Sequence, residues 1–162
     1  MPAIKIIISF IIFYFLAVFQ AGYLTHFKIA GGVWNPLLVA LIFLNFFEKK
    51  EDKSGLIIGG LAGLYLDLFS PYFFGLFILT GILVAMAIKG IKPLLETRKF
   101  ISFALVLFAG LLFYEVVLTI ALINRGLSFN ALSVVINFFA GAIIYWILRL
   151  FNVLYGQQFR QT

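Results

Sequence analysis

Apolar residues run along this chain in long stretches without the alternation of a half-buried strand, and clusters of charge, Gly and Pro interrupt them. Six stretches follow one another: about Ile4 to Tyr23, Val33 to Phe47, Gly55 to Phe69, Tyr72 to Ile88, Ile101 to Ile123 and Phe129 to Phe151. Each predicts a helix. Helix-start residues stand near the borders: Asn35-Pro36 opens the second, Ser54 precedes the third, Ser70-Pro71 opens the fourth and Ser128 precedes the sixth. The third stretch is short, since fifteen residues at a helical rise reach only about 22 Å against a hydrocarbon core of roughly 30 Å. The second is nearly as short. Segments of this kind are expected to lie against protein or a cavity. The connections are brief, so residues 1–162 read as one integral membrane domain with no room for a folded soluble part.

Composition turns six helices into six membrane spans. With 64% of residues hydrophobic and 11% charged, a water-soluble fold could not cover its own surface, so the bilayer is the solvent. Lipid provides no hydrogen-bond partners, and the backbone must satisfy itself within helices; the lack of strict alternation argues against a β-barrel. The expected fold is an all-α, six-helix transmembrane bundle.

Charge orients it. With the N-terminus inside, Lys5, Lys49, Lys50, Lys53, Lys89, Lys92, Arg98, Lys99, Arg149 and Arg160 fall on the inner side, leaving Lys28 and Arg125 outside. Treating Gly55 to Ile88 as one broken span would leave five cations inside and seven outside, which disfavours it. A re-entrant hairpin over that stretch keeps the bias and stays open. Both termini are therefore expected on the cytoplasmic side. The net charge of +6 is scattered over helix ends, the pattern of lipid-headgroup anchors, so nucleic acid is not an expected partner. The first stretch is as long as a signal-peptide core but lacks a small-x-small pair among Phe19, Gln20, Ala21 and Gly22, and reads as an uncleaved first helix.

Candidate chemistry is sparse. The chain has no cysteine, and its one histidine, His26, has no second to complete a metal site. No nucleophile-base pair, phosphate-binding loop or ligand cluster is visible, so neither catalysis nor a cofactor is expected. Gly55, Gly59 and Gly63 recur every fourth residue and bare one stripe of the third helix, inviting close backbone approach, with internal packing favoured over an intermolecular groove. Asp67 continues that stripe near the outer end, where a capping or loop-fixing role suits it. Glu115 lies deeper. It stands eight residues before Ile123, as Asn137 stands eight after Phe129, so the two reach the same depth on consecutive antiparallel helices. An acid at depth costs on the order of 2.5 to 3.5 kcal/mol. Glu115 and Asn137 are therefore expected to face the interior as a polar pair.

The run Gly63-Leu64-Tyr65-Leu66-Asp67-Leu68-Phe69-Ser70-Pro71-Tyr72-Phe73-Phe74-Gly75 resembles the signature of the rod shape-determining protein MreD family. Asn35-Pro36-Leu37-Leu38, the charged loop before the glycine stripe and Ser133-Val134-Val135-Ile136-Asn137 add to the likeness, which covers the chain from about Trp34 onward. The resemblance implies a non-enzymatic subunit of the bacterial cell-elongation machinery in the cytoplasmic membrane. It would bind the MreC scaffold directly, and through it MreB filaments and the elongation transglycosylase/transpeptidase pair, with a homo-oligomer also open. It carries over Asp67, Ser70, Pro71 and Gly75 as motif or partner-contact positions. Pro71 is expected to fix the turn and Gly75 to let chains approach. The rival is the substrate-binding subunit of energy-coupling-factor vitamin transporters, which are similar in size and use small-x-x-x-small pairs such as Ala17 and Ala21. That reading needs several convergent polar side chains, and the outer loops are nearly bare. A proton or ion translocator using Asp67 and Glu115 is a third class.

Overall fold

The computed structural model describes residues 2–26, 31–48, 53–95, 100–126 and 128–156. Among them the chain forms six α-helices: α1 (Pro2–Gly22), α2 (Pro36–Phe47), α3 (Ser54–Leu68), α4 (Leu76–Ile91), α5 (Phe100–Leu122) and α6 (Ala131–Gly156). Three stretches, Leu76–Leu94, Phe100–Arg125 and Ala131–Leu150, are long and apolar enough to cross a membrane, while Ile6–Gly22, Pro36–Phe47 and Ser54–Leu68 are shorter apolar helices. By length and composition this is a helical membrane protein. Of the charged residues outside the apolar stretches, Lys28, Lys49, Lys50, Glu51, Asp52, Glu96, Arg98, Lys99 and Arg160 lie outside the described residues.

The shortest helix is the central one. α2 touches all five others, and it is buried almost all round through Pro36, Leu37, Leu38, Val39, Leu41, Ile42, Asn45 and Phe46. A helix apolar on every side belongs in a core. Its far half packs on an aromatic cluster: the Phe103 ring stacks on Tyr145 at 4.7 Å and meets Phe46 edge-on at 5.3 Å. These contacts tie α2 to α5 and α6 and add about 0.5 to 1.5 kcal/mol each beyond burial. α1 is peripheral; Ser9, Phe13 and Ala17 are buried and most of its other side chains face outward, as lipid contact requires.

The glycine stripe divides its work. A Cβ on Gly59 would stand 2.7 Å from the Gly81 carbonyl oxygen, and one on Gly63 would overlap the backbone of Phe77 and Ile78. Gly59 and Gly63 therefore bring α3 and α4 into backbone contact, with Gly81 answering from α4. Gly55 instead lies beneath the Asn45 and Glu48 side chains of α2.

Short connections make successive helices antiparallel, so the starts of α2, α4 and α6 gather with the ends of α1, α3 and α5. That end carries Asp67 and is called here the turn end; the opposite one, carrying Glu48, Lys89 and Lys92, is the lysine end.

Helix starts follow the local signal in one case out of four. Asn35 caps α2, its Oδ1 accepting from the Leu38 N–H at 2.9 Å with Pro36 in the first turn. Ser54 is already inside α3, and its hydroxyl donates to the Glu48 carboxylate. α4 begins at Leu76, after Ser70 and Pro71, because Asp67 reaches forward from α3 to cap it. α6 begins at Ala131, and Asn130 caps it by accepting from the Ser133 N–H at 3.0 Å, which leaves Ser128 in the preceding loop.

Candidate functional site at the turn end

The α3–α4 turn is built around one carboxylate. Asp67 is 5% exposed, and its Oδ2 accepts from the backbone N–H groups of Gly75 and Ile78 at 3.0 Å each. Its Oδ1 accepts from Phe77 N–H at 3.1 Å. Three otherwise orphaned donors at the start of α4 are thus satisfied by a single anion, which the helix dipole also favours. Ser70 Oγ accepts from Tyr72 N–H at 3.1 Å and shapes the turn further. Gly75 adopts φ +98°, a left-handed conformation that disfavours any side chain, and a Cβ there would meet nothing within 4 Å. Its dihedral angle, not the close approach expected from sequence, is what calls for glycine. The turn presents Leu68, Phe69, Phe73 and Phe74 outward, Phe74 at 68% exposure, and the Arg125 guanidinium lies over the Phe73 ring at 4.3 Å.

Beside this turn opens a cavity of about 500 Å³. Its apolar wall includes Leu66, Phe69, Leu111, Leu118 and Leu122, and Ala17 and Ala21 line it from α1. Three further lining rings stand in series, Tyr72 to Phe77 at 6.3 Å and Phe77 to Tyr114 at 6.5 Å between centroids. Polar lining side chains are Gln20, Asn35, Tyr65, Ser70, Glu115, Ser128, Asn130, Ser133 and Asn137.

Most of these polar groups are occupied by the fold. Asn137 Oδ1 accepts from the Asn35 backbone N–H at 2.6 Å, and its amide nitrogen donates to the carbonyls of Val33 at 3.0 Å and Ser133 at 2.7 Å. Asn130 donates to the Gly31 carbonyl at 2.9 Å, and Ser133 Oγ accepts from Val33 N–H at 3.0 Å. Together they staple the segment before α2 to α6. Glu115 and Asn137 line the same cavity, but the amide of Asn137 has both its hydrogens engaged elsewhere and is not bonded to Glu115. The Asn130 backbone amide faces the Glu115 carboxylate instead. Two cavity-lining groups are buried without a partner among the described residues, the Tyr65 hydroxyl and Gln20 Oε1.

Compared with protein-family models, curated proteins and solved structures, the chain matches none of them. Its function is therefore read from its own residues.

A second polar cluster lies at the lysine end. Glu48, at the end of α2, pairs with Lys89 at 2.9 Å, receives the Ser54 hydroxyl, and offers its backbone carbonyl to the Lys92 ammonium. Buried Asn45 lies against it beneath α3, its amide donating to Leu41 carbonyl at 3.1 Å. In the sequence Glu48 stands close to Glu51 and Asp52, and nothing local marks it as the acid that folds inward. Among the described residues no group of three or more His, Cys, Asp or Glu side chains could hold a metal ion. The turn end thus combines a rigid apolar projection with a recess lined by the Tyr65 hydroxyl and Gln20 Oε1, both unpartnered among the described residues. At the lysine end the Glu48 carboxylate is paired, with Asn45 Oδ1 buried beside it.

Proposed function

We propose that this chain is a non-enzymatic membrane subunit of the bacterial cell-elongation complex. The bundle sits in the cytoplasmic membrane as six spans, the short α2 and α3 included, with both termini cytoplasmic and the turn end outward. Its outer turn holds the transmembrane helix of an MreC-type scaffold and the start of that scaffold's extracellular part. MreB filaments and the transglycosylase/transpeptidase pair connect through the scaffold, so the role is to position lateral peptidoglycan synthesis and maintain cell shape.

One observation carries this reading: the segment whose sequence resembles the MreD signature is a turn locked by three hydrogen bonds to Asp67, projecting Leu68, Phe69, Phe73 and Phe74. A preorganised apolar projection loses little freedom on docking, which favours association. Its place beside helix ends suits a partner that is itself part helix and part extracellular chain.

A photocrosslinker at Phe69 or Phe74 is expected to capture an MreC-type scaffold from intact membranes, and one at Leu94, at the opposite end, is not. Affinity copurification with mass spectrometry separates the rivals. An ATPase-coupling module in the eluate without the scaffold rejects the reading in favour of a transporter subunit. Proton flux in liposomes that disappears in Asp67→Asn rejects it in favour of a translocator.

A further inference from the structure

We propose that the cavity at the turn end binds a small organic cation, an amine carried on an apolar or aromatic body. The space, about 500 Å³, lies within the range of small-molecule sites, roughly 300 to 1,000 Å³. Glu115 is the one acidic side chain among the described lining residues, and no Lys, Arg or His joins it there. The series of rings from Tyr72 through Phe77 to Tyr114 forms an adjacent wall whose faces attract cations.

The uncommitted polar atoms point to the same class. Asn137 spends both amide hydrogens, and Asn130 one of its two, in holding the segment 31–35 to α6, so they act mainly to shape the recess. What remains able to accept is Gln20 Oε1 and the Tyr65 hydroxyl, both without a partner among the described residues and the latter on a side chain 5% exposed. The Glu115 carboxylate joins them, since it meets the Asn130 backbone amide and keeps further acceptor capacity. A buried acceptor left unmatched is costly, and an ammonium brings three donors and a charge to meet such a set. An anion would face Glu115 with no compensating cation. A lipid acyl chain would fill the apolar wall and leave Gln20 Oε1 and the Tyr65 hydroxyl unmatched.

This site shares Phe69 with the docking turn but is distinguishable from it, because its acceptors come from α1, α3 and α5 and the docking reading uses none of them. Failure to capture a scaffold leaves it untouched, and failure to bind amines leaves the turn untouched.

The test uses the full chain in non-ionic detergent with three probes sharing one ring: 2-phenylethylamine, 2-phenylethanol and 3-phenylpropionate. Saturation-transfer NMR and the thermal unfolding midpoint report binding. The amine is expected to bind about tenfold more tightly than the alcohol, the weight of one charge-assisted hydrogen bond, with the acid weakest. Glu115→Gln is expected to reduce amine affinity to that of the alcohol and to leave the alcohol unchanged. Gln20→Leu is expected to weaken the amine as well. Preference for the acid, equal binding of all three probes, or no binding up to about 10 mM overturns the proposal. So does undiminished amine affinity in a folded Glu115→Gln. If that variant does not fold, the order of the three probes on the unaltered chain and the loss in Gln20→Leu decide, and unchanged amine affinity in Gln20→Leu rejects the site.

Discussion

The two ends of the bundle each bury an acid among backbone groups, yet they differ in what they leave over. At the lysine end the Glu48 carboxylate is matched by Lys89 and Ser54 while Lys92 donates to the Glu48 backbone carbonyl, so α2, α3 and α4 close around it. At the turn end Asp67 is matched by backbone donors alone, while Glu115, one helix further on, faces a recess. One end is a clasp and the other a clasp beside an opening. A carboxylate saturated by its own fold holds structure, and one that is not is available to something else; burial by itself does not distinguish them.

Variants can break that contrast, beginning with the glycine contacts at each end. Gly63→Ala at the turn end drives a methyl into α4 backbone, which cannot yield locally, and is expected to lower stability by about 3 kcal/mol. Gly55→Ala at the lysine end meets side-chain atoms of Asn45 and Glu48, which can shift, so the expected loss is about half as large. Unfolding in a mixed-micelle titration measures both; equal losses would mean that the hairpin is not in backbone contact.

Asp67→Ala removes three hydrogen bonds to a charged acceptor and uncaps α4, for an expected loss of about 3 kcal/mol. Hydrogen exchange should then accelerate at Gly75, Phe77 and Ile78 before it does elsewhere. Glu48→Gln is expected to cost less, about 2 kcal/mol, because Lys89 is partly exposed and can turn toward water once its partner is gone. Glu115→Gln is expected to change stability by less than about 1 kcal/mol in the same titration, since the glutamine oxygen can still accept from the one Asn130 backbone amide that meets it. A loss at Glu115 as large as that at Asp67 would make it a structural acid and erase the difference between the ends.

What could be read from sequence depended on whether cause and effect were close along the chain. Six helices followed from continuous apolar runs, and the start of α2 from Asn35 and Pro36, because cap and helix are neighbours. The start of α4 did not follow, since its cap lies on the preceding helix, and the nearer Ser70-Pro71 pair pointed to a start several residues early. The glycine spacing announced close packing but not that Gly55 serves a different neighbour from Gly59 and Gly63. Glu48 was hidden for the same reason of distance: the Lys92 that meets its carbonyl is 44 residues away, and adjacent lysines look identical in sequence. The cavity was least legible, because helix ends line it and no single segment carries its polar set. Loops bare of polar residues suggested no recess, but Gln20, Tyr65 and Glu115 belong to helices.

The account depends most on the turn end facing outward. Because the chain has no cysteine, single substitutions report sidedness cleanly. In intact cells an impermeant maleimide should label Asn124→Cys beside the turn and leave Lys53→Cys at the lysine end unlabelled until the membrane is opened. Labelling of Lys53→Cys with protection of Asn124→Cys would invert the bundle and contradict both the docking turn and an outward-facing amine site.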